Sequence, residues 1–289
     1  MIRVAVIGST GQLGTDLVRV LRQSGDYQAF PLSHSDIECA EPERVRQVLG
    51  ALCPDVVVNC AAFVRVDDCE DRPEEAYRVN ALGARYVAEA CAALGAACVY
   101  VSTDYVFGGE KQTPYLEEDS PNPLSVYGAS KLAGEQLVRI SLDRHYVVRC
   151  SGLFGIAGAS GKGGNFITTM LRLAREGRDI QVVDDQRFSP TSTEALAEKI
   201  AWLITTGEFG TWHITCQGEC TWYEFAEAAF QLTGLHPKLS PITAAEFGLR
   251  AKRPAYSVLG HGRLQQARAD NLPHWRDSLE QYLRAKRET

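Results

Sequence analysis

A phenol and an ammonium stand four residues apart in Tyr127-Gly128-Ala129-Ser130-Lys131, a spacing that puts both on one face of a helix. A tyrosine hydroxyl near pKa ~10 exchanges protons poorly at neutral pH unless a neighbour stabilises its anion. Lys131 is placed to do so, and the expectation is that it lowers the Tyr127 pKa toward the working range. Upstream, Ser102-Thr103-Asp104-Tyr105-Val106-Phe107-Gly108 ends an apolar run read as a central strand. Ligands of open α/β sheets bind at the carboxyl ends of parallel strands. There the Thr103 hydroxyl can hydrogen-bond a substrate carbonyl or hydroxyl while Tyr127 supplies the proton. Each pattern alone is common; Thr103, Tyr127 and Lys131 together are far more specific.

A third feature names the partner such chemistry needs. Gly8-Ser9-Thr10-Gly11-Gln12-Leu13-Gly14 lies between a first apolar strand and a first helical stretch. Glycines there permit a tight turn and let backbone approach a pyrophosphate, which then meets a helix N-terminus. The spacing is G-x-x-G-x-x-G, and its position directly after the strand is what favours a dinucleotide over an ordinary turn. A second cluster, Gly161-Lys162-Gly163-Gly164, fails as a P-loop: Ile156 stands where the first glycine belongs and Gly163 where Ser or Thr belongs. Lys162 remains able to hold a substrate phosphate or simply to be solvated. The acid expected ~20 residues after the glycines is absent from Phe30-Pro31-Leu32-Ser33-His34. Asp36 and Ile37 follow and are placed to line the adenosine; no arginine sits there for a 2′-phosphate. NAD against NADP stays open.

The elements that must position these groups alternate in type. Val4–Ile7, Asp55–Cys60, Ala97–Ser102 and Tyr146–Cys150 read as buried strands, with helices over Gln12–Gln23, Arg78–Leu94 and Val126–Ile140. Asn165–Arg175 and Thr193–Thr206 are further helical stretches, and Thr211–Thr215 a late strand. Five glycines within residues 155–164 mark a loop expected to be mobile. The fold class so predicted is α/β: a Rossmann-type doubly wound parallel sheet with a smaller, α-rich substrate lobe. Residues 1–150, with 186–216 returning, make the dinucleotide-binding domain; 151–185 and 217–289 make the lobe.

Composition removes other classes. With 289 residues and 45% apolar content the chain can build a large core, and disorder as its main state is excluded. Thirty Lys and Arg against 36 Asp and Glu, net charge -6, argue against binding nucleic acid or anionic lipid. No apolar run is long enough to span a membrane, and the short Ile2–Ile7 run reads as a strand rather than a secretory signal. Nine cysteines without framework spacing read as reduced thiols of a cytoplasmic protein. His213, Cys216 and Cys220 lack a fourth ligand for zinc, so no metal is expected.

Taken together, the chain resembles, almost end to end, the extended short-chain dehydrogenase/reductase superfamily and within it the dTDP-4-dehydrorhamnose reductase family. The resemblance rests on Gly8 to Gly14, on Val58-Asn59-Cys60-Ala61-Ala62-Phe63 with Val66-Asp67, on Asn80, on Ser102 to Phe107 and on Tyr127 to Lys131 with Gly134-Glu135. Asn165-Phe166, Asp185-Gln186 with Pro190-Thr191, His213, Trp222 to Ala226 and Arg253-Pro254 complete it. It implies reduction of the C4 ketone of dTDP-4-dehydrorhamnose, or a related nucleotide-linked 4-keto-6-deoxyhexose, by NADPH or NADH. Tyr127 would protonate the C4 oxygen, Lys131 hold the nicotinamide ribose and tune Tyr127, and Thr103 orient the ketone. Asp104 and Tyr105 would face the sugar. Gly8, Thr10, Gly11, Gln12, Leu13, Gly14, Asp36, Ile37, Ala61, Ala62 and Phe63 would line the dinucleotide. Asn165, Phe166 and Arg253 would grip the nucleotide diphosphate. The partner is thus a small-molecule nucleotide sugar, with a homodimer as an assembly open to the chain.

One departure touches the substrate. Arg149-Cys150-Ser151-Gly152 carries glycine where the family's Arg-Thr-Ser-Trp string has a ring that packs on the deoxysugar. The change bears on which sugar is bound and spares the hydride chemistry. Two alternatives share the fold: a nucleotide-sugar epimerase or dehydratase that recycles its cofactor, and a non-catalytic subunit resembling the β subunit of methionine adenosyltransferase.

Overall fold

Short apolar strands alternating with amphipathic helices have few stable arrangements, the commonest being a parallel sheet covered on both faces. The computed structural model describes residues 1–157 and 164–288. β1 (Ile2–Ile7), β2 (Tyr27–Leu32), β3 (Val56–Asn59), β4 (Ala97–Thr103), β5 (His145–Cys150) and an edge strand, Gly210–His213, form one six-stranded sheet. Across it the order is β2, β1, β3, β4, β5, Gly210–His213, and every pairing is parallel. Side-chain alternation splits the core. Val4, Val6, Val58, Val99 and Val148 pack on one face, and Ala5, Ile7, Val57, Cys98 and Tyr100 on the other.

The chain leaves β1 for β2 on one side and returns to β3 on the other. Their carboxyl ends therefore part, opening a crevice at the switch point of the order. α1 (Gln12–Ser24) begins at this crevice behind Gly8 and ends at Gly25, whose φ of 74° is the left-handed cap glycine permits.

Two elements go beyond the sequence reading. β2 and a helix over Pro42–Leu52 both precede β3. β2 hides in the sequence because it is a half-exposed edge strand containing Pro31, a residue tolerated where one side of the backbone has no ladder partner. The expected helix Arg78–Leu94 is also more complex: a π-helical turn, Arg78–Gly83, leads into an α-helix over Ala84–Leu94. After β5 the chain adds a parallel pair, Ile180–Val183 with Leu239–Ile242, and helices Phe166–Arg175, Trp222–Thr233 and Trp275–Glu288. Residues 158–163, most of the glycine-rich loop with Lys162, lie outside the described residues.

Beneath the sheet's carboxyl end sits a buried ion cluster. Glu135, on the helix Val126–Ser141, takes hydrogens from Ser102 Oγ at 2.6 Å and from Arg149 Nε and Nη2 at 2.9 and 2.8 Å. Arg139 adds a fourth at 3.1 Å and also donates to Thr211 on the edge strand. Arg149 continues to His213 Nε2 at 3.3 Å, and the His213 Nδ1 hydrogen meets the carbonyls of Tyr115 and Gly260. Burial, then the adjacent Arg149, pulls His213 down to about 3, so the ring stays neutral and can accept from Arg149. Removing one partner of a buried pair strands the other charge, at a cost of roughly 3–5 kcal/mol. Arg149→Met should therefore lower unfolding stability by about that amount, read from urea midpoints at unchanged slope; a loss under about 1 kcal/mol would show that Glu135 reaches water.

Candidate active site

The crevice widens into a cleft of about 930 Å³ between the sheet's carboxyl end and the α-rich part. Its inner wall is the glycine turn. Gly8 has a φ of 76°, and a Cβ on Gly14 would lie 2.2 Å from the Gly8 carbonyl oxygen. Only glycine at 14 lets the turn pack so tightly onto the helix. Gly11 caps α1 with no side chain, leaving the first backbone N–H groups facing the cleft. Gln12 donates to the Leu153 carbonyl at 2.8 Å, while its Oε1 is buried without a partner. A bare helix N-terminus, a cradle any Cβ would fill and an orphaned acceptor together fit a dinucleotide. Thr10, Leu13, Ile37, Ala61, Ala62 and Phe63 lie on the same wall. Asp36 does not: its carboxylate accepts from Ser33 N and Oγ at 2.8 and 2.6 Å, which holds it below its ordinary range on the outer surface.

Thr103, Tyr127 and Lys131 all line this cleft. Ser125 caps the helix that carries the last two, accepting from Gly128 N at 3.2 Å. Tyr127 lies within hydrogen-bonding reach of Thr103, and its ring meets Tyr105 edge-on at 6.0 Å. The expected lowering of the Tyr127 pKa is not found. Burial drives this phenol well above its ordinary value, because Lys131 is turned elsewhere. Lys131 Nζ donates to the Val101 carbonyl at 2.7 Å and lies 4.0 Å from the centre of the Tyr100 ring. Burial also pulls Lys131 down to about 8. Tyr127 is thus held as a protonated phenol, suited to giving a proton rather than taking one.

Asn80, buried in the π-helical turn, explains part of the placement. Its side chain accepts from Phe63 N at 2.8 Å and donates to the Phe63 carbonyl and to Ser130 Oγ at 3.1 and 3.0 Å. One amide therefore locks the cofactor-side wall to the helix bearing Tyr127 and Lys131. Asn80 is visible in the sequence only as part of a matching string; nothing local shows what it would hold. Arg78 and Arg187 also line the cleft and carry no sequence signal of their own.

Asp104 lines the cleft, yet its carboxylate is already engaged by the protein. Its carboxylate is buried and accepts from Thr103 Oγ1 at 3.0 Å, Ser151 Oγ at 2.8 Å and Ser257 Oγ at 2.6 Å. Tyr105 reaches the cleft beside Arg253, which Asp67 holds at 2.9 Å. Asp67 also takes the Ala251 N–H at 3.0 Å, and although its burial opposes ionisation these bonds keep the carboxyl below its usual range. Asn165 caps the helix Phe166–Arg175 and donates to the Gly155 carbonyl at 3.1 Å, so its amide supports the wall on which Phe166 stands. The ring missing at Gly152 is replaced in space. Gly152 has a φ of 53°, and a Cβ there would fall 2.3 Å from Phe188 Cε2. Phe188 stacks on Trp222 at 4.0 Å, and both rings line the cleft.

Among the described residues no cluster of three His, Cys, Asp or Glu has metal-binding geometry; Cys216 instead meets Ser278 Oγ at 3.4 Å. Nor is any described helix long and apolar enough to cross a membrane.

A family model described as the RmlD substrate binding domain matches residues 2–288. The spore coat polysaccharide biosynthesis protein SpsK of Bacillus subtilis (strain 168) is 40% identical over 286 residues, 99% of this chain and 98% of that one. A dTDP-4-dehydrorhamnose reductase of Escherichia coli (strain K12) is 35% identical, covering 97% of this chain and 96% of its own. Among solved structures, the dTDP-4-dehydrorhamnose reductase of Bacillus anthracis in complex with NADP superposes with a TM-score of 0.94 at 38% identity, over 98% of this chain and 99% of that one.

Cys60 and Cys150 form part of the cleft wall, and burial pushes both thiols up to about 12. The thiolate is the reactive form, so both should be inert at neutral pH. At about pH 8 iodoacetamide should label exposed Cys53 in the folded protein, and Cys60 and Cys150 only after unfolding, as read by peptide mass spectrometry. Rapid labelling of Cys150 in the folded state would contradict its assigned burial.

Proposed function

The chain belongs to the RmlD substrate binding domain family, and on that premise we propose that it is an NAD(P)H-dependent oxidoreductase reducing the C4 ketone of a dTDP-linked 4-keto-6-deoxyhexose, dTDP-4-dehydrorhamnose first among them. The observation that carries this reading is the convergence of Thr103, Tyr127 and Lys131 on one cleft with the glycine turn. The names of the relatives support the substrate class, and the NADP complex of the B. anthracis enzyme supports the cofactor.

Bound NAD(P)H supplies the hydride. The chain's own groups supply placement and the proton. Tyr127, kept protonated by burial, gives its hydrogen to the C4 oxygen as negative charge develops there. Lys131, anchored by the Val101 carbonyl, keeps two further ammonium hydrogens for the nicotinamide ribose. The N-terminus of α1 takes the dinucleotide pyrophosphate. Arg253, aimed by Asp67, is the cation for the sugar nucleotide's diphosphate. Phe188 and Trp222 with Phe166 give the sugar side an aromatic wall, which favours a deoxygenated face over a fully hydroxylated one. The proposal sets this work in the cytoplasm, where unpaired thiols persist.

A panel of nucleotide-linked 4-ketosugars, followed by loss of NADPH and NADH absorbance, tests the assignment. One equivalent of cofactor should be consumed per sugar reduced, whereas an epimerase or dehydratase would recycle it and a non-catalytic subunit would consume none. Tyr127→Phe should slow turnover by at least about 100-fold while cofactor binding is kept; unchanged turnover would remove Tyr127 from the reaction.

A further inference from the structure

Hydrogen accounting around Thr103 does not close if its hydroxyl is to steady the ketone. Thr103 has one hydroxyl hydrogen, and Oγ1 lies 3.0 Å from Asp104 Oδ1. The same oxygen already accepts from Tyr105 N at 3.2 Å. With Asp104 ionised, the hydrogen belongs to the carboxylate, and Thr103 presents its remaining lone pair to the cleft and to the Tyr127 hydroxyl within its reach. A lone pair repels a ketone oxygen that is gaining negative charge.

The other side of Asp104 shows how the hydrogen can be released. Oδ2 receives Ser151 Oγ at 2.8 Å and Ser257 Oγ at 2.6 Å, so its lone pairs are spoken for. A proton added to this carboxyl is therefore directed to Oδ1, the oxygen facing Thr103. It then donates to Thr103 Oγ1, and the Thr103 hydrogen swings to the cleft. No bond of the substrate is involved; one hydrogen bond reverses its direction.

We infer that Asp104 is a positioning residue that sets, through its own protonation, whether the Thr103 hydroxyl donates to the reacting oxygen. The inference rests on the reductase reading and adds to it a residue acting through another.

Burial supports it, pushing Asp104 up to about 6 against the pull of the three hydroxyls and of its own backbone N–H. The groups that face Asp104 titrate elsewhere. Tyr105 beside it and Tyr127 from the neighbouring helix are driven well above their ordinary values, and Cys150 on β5 is pushed up to about 12. Lys131, which faces Cys150, is pulled to about 8. Asp67, facing Tyr105 and paired with Arg253, is held below the carboxylate range. Between about pH 5 and pH 7.5, Asp104 is the member of this set that passes through its midpoint, and Lys131 does so only above that window.

The test is the pH profile of kcat/KM for the keto sugar at saturating NADPH, from about pH 5 to pH 7.5. The wild-type value should be high at the acid end and fall by roughly tenfold or more to a lower plateau as Asp104 ionises. In Asp104→Asn the amide donates to Thr103 at every pH while its oxygen accepts from the serines. That variant should be flat and at pH 7.5 at least as fast as the wild type, an outcome no packing defect produces. Ser151→Ala, which removes a donor to the ionised form, should shift the wild-type fall to higher pH. Thr103→Val should be slow and flat, and it decides the matter if Asp104→Asn does not fold.

A fall that survives in Asp104→Asn or in Thr103→Val overturns the inference, as does a folded Asp104→Asn that is slow throughout. Absence of turnover with every ketosugar in the wild type would sink the reductase reading instead, which keeps the two failures apart.

Discussion

The site depends on a buried carboxylate that has no water to turn to. Glu135 is fully enclosed, so each of its lone pairs must be met from within the protein, and four hydrogen bonds reach it from three residues. Ser102 fixes the end of β4, Arg149 fixes β5, and Arg139 reaches the edge strand, while Glu135 itself lies one helical turn beyond Lys131. A shift of that helix along its axis would break several charge-assisted bonds at once in a medium where unpaired charge is costly. The consequence is geometric. Tyr127 and Lys131 sit on a helix whose height above the sheet is fixed by electrostatics, not only by apolar packing, which tolerates small slides.

This constraint also explains the division of labour in the cleft. Groups that must stay rigid are tied to the protein: Asn80 to Phe63 and Ser130, Lys131 to Val101, Asp104 to two serines and Thr103. Those left incompletely satisfied lie along the glycine turn, among them the buried Gln12 Oε1 and the uncapped N-terminus of α1.

How much of this was legible in the chain follows from the range of each interaction. The glycine turn, the Tyr127–Lys131 spacing and Thr103 at a strand end are local patterns, and their chemistry can be read from a few neighbouring residues. The apolar runs of β1, β3, β4 and β5 were equally plain because both faces of those strands are buried. β2 was not, since an edge strand with Pro31 carries half the apolar signal. The pKa of Tyr127 was misjudged from the same i, i+4 spacing that located it: sharing a helix face does not decide where a lysine's long side chain points. The sequence shows Asp104 at a strand end but not what holds its carboxylate, because Ser257 lies more than half the chain away. Partners at that separation leave no periodic trace.

Gly152 and Phe188 close the list of such long-range pairs, and they constrain how this cleft can diverge. The aromatic ring occupies the volume that any side chain at 152 would need, and the backbone there is left-handed as well. A lineage that acquires a bulky residue at 152 must first shrink or displace the one at 188; the opposite order passes through a collision. The two positions are therefore epistatic, and a substitution tolerated at either in a relative is no guide to its effect here unless its counterpart is considered with it.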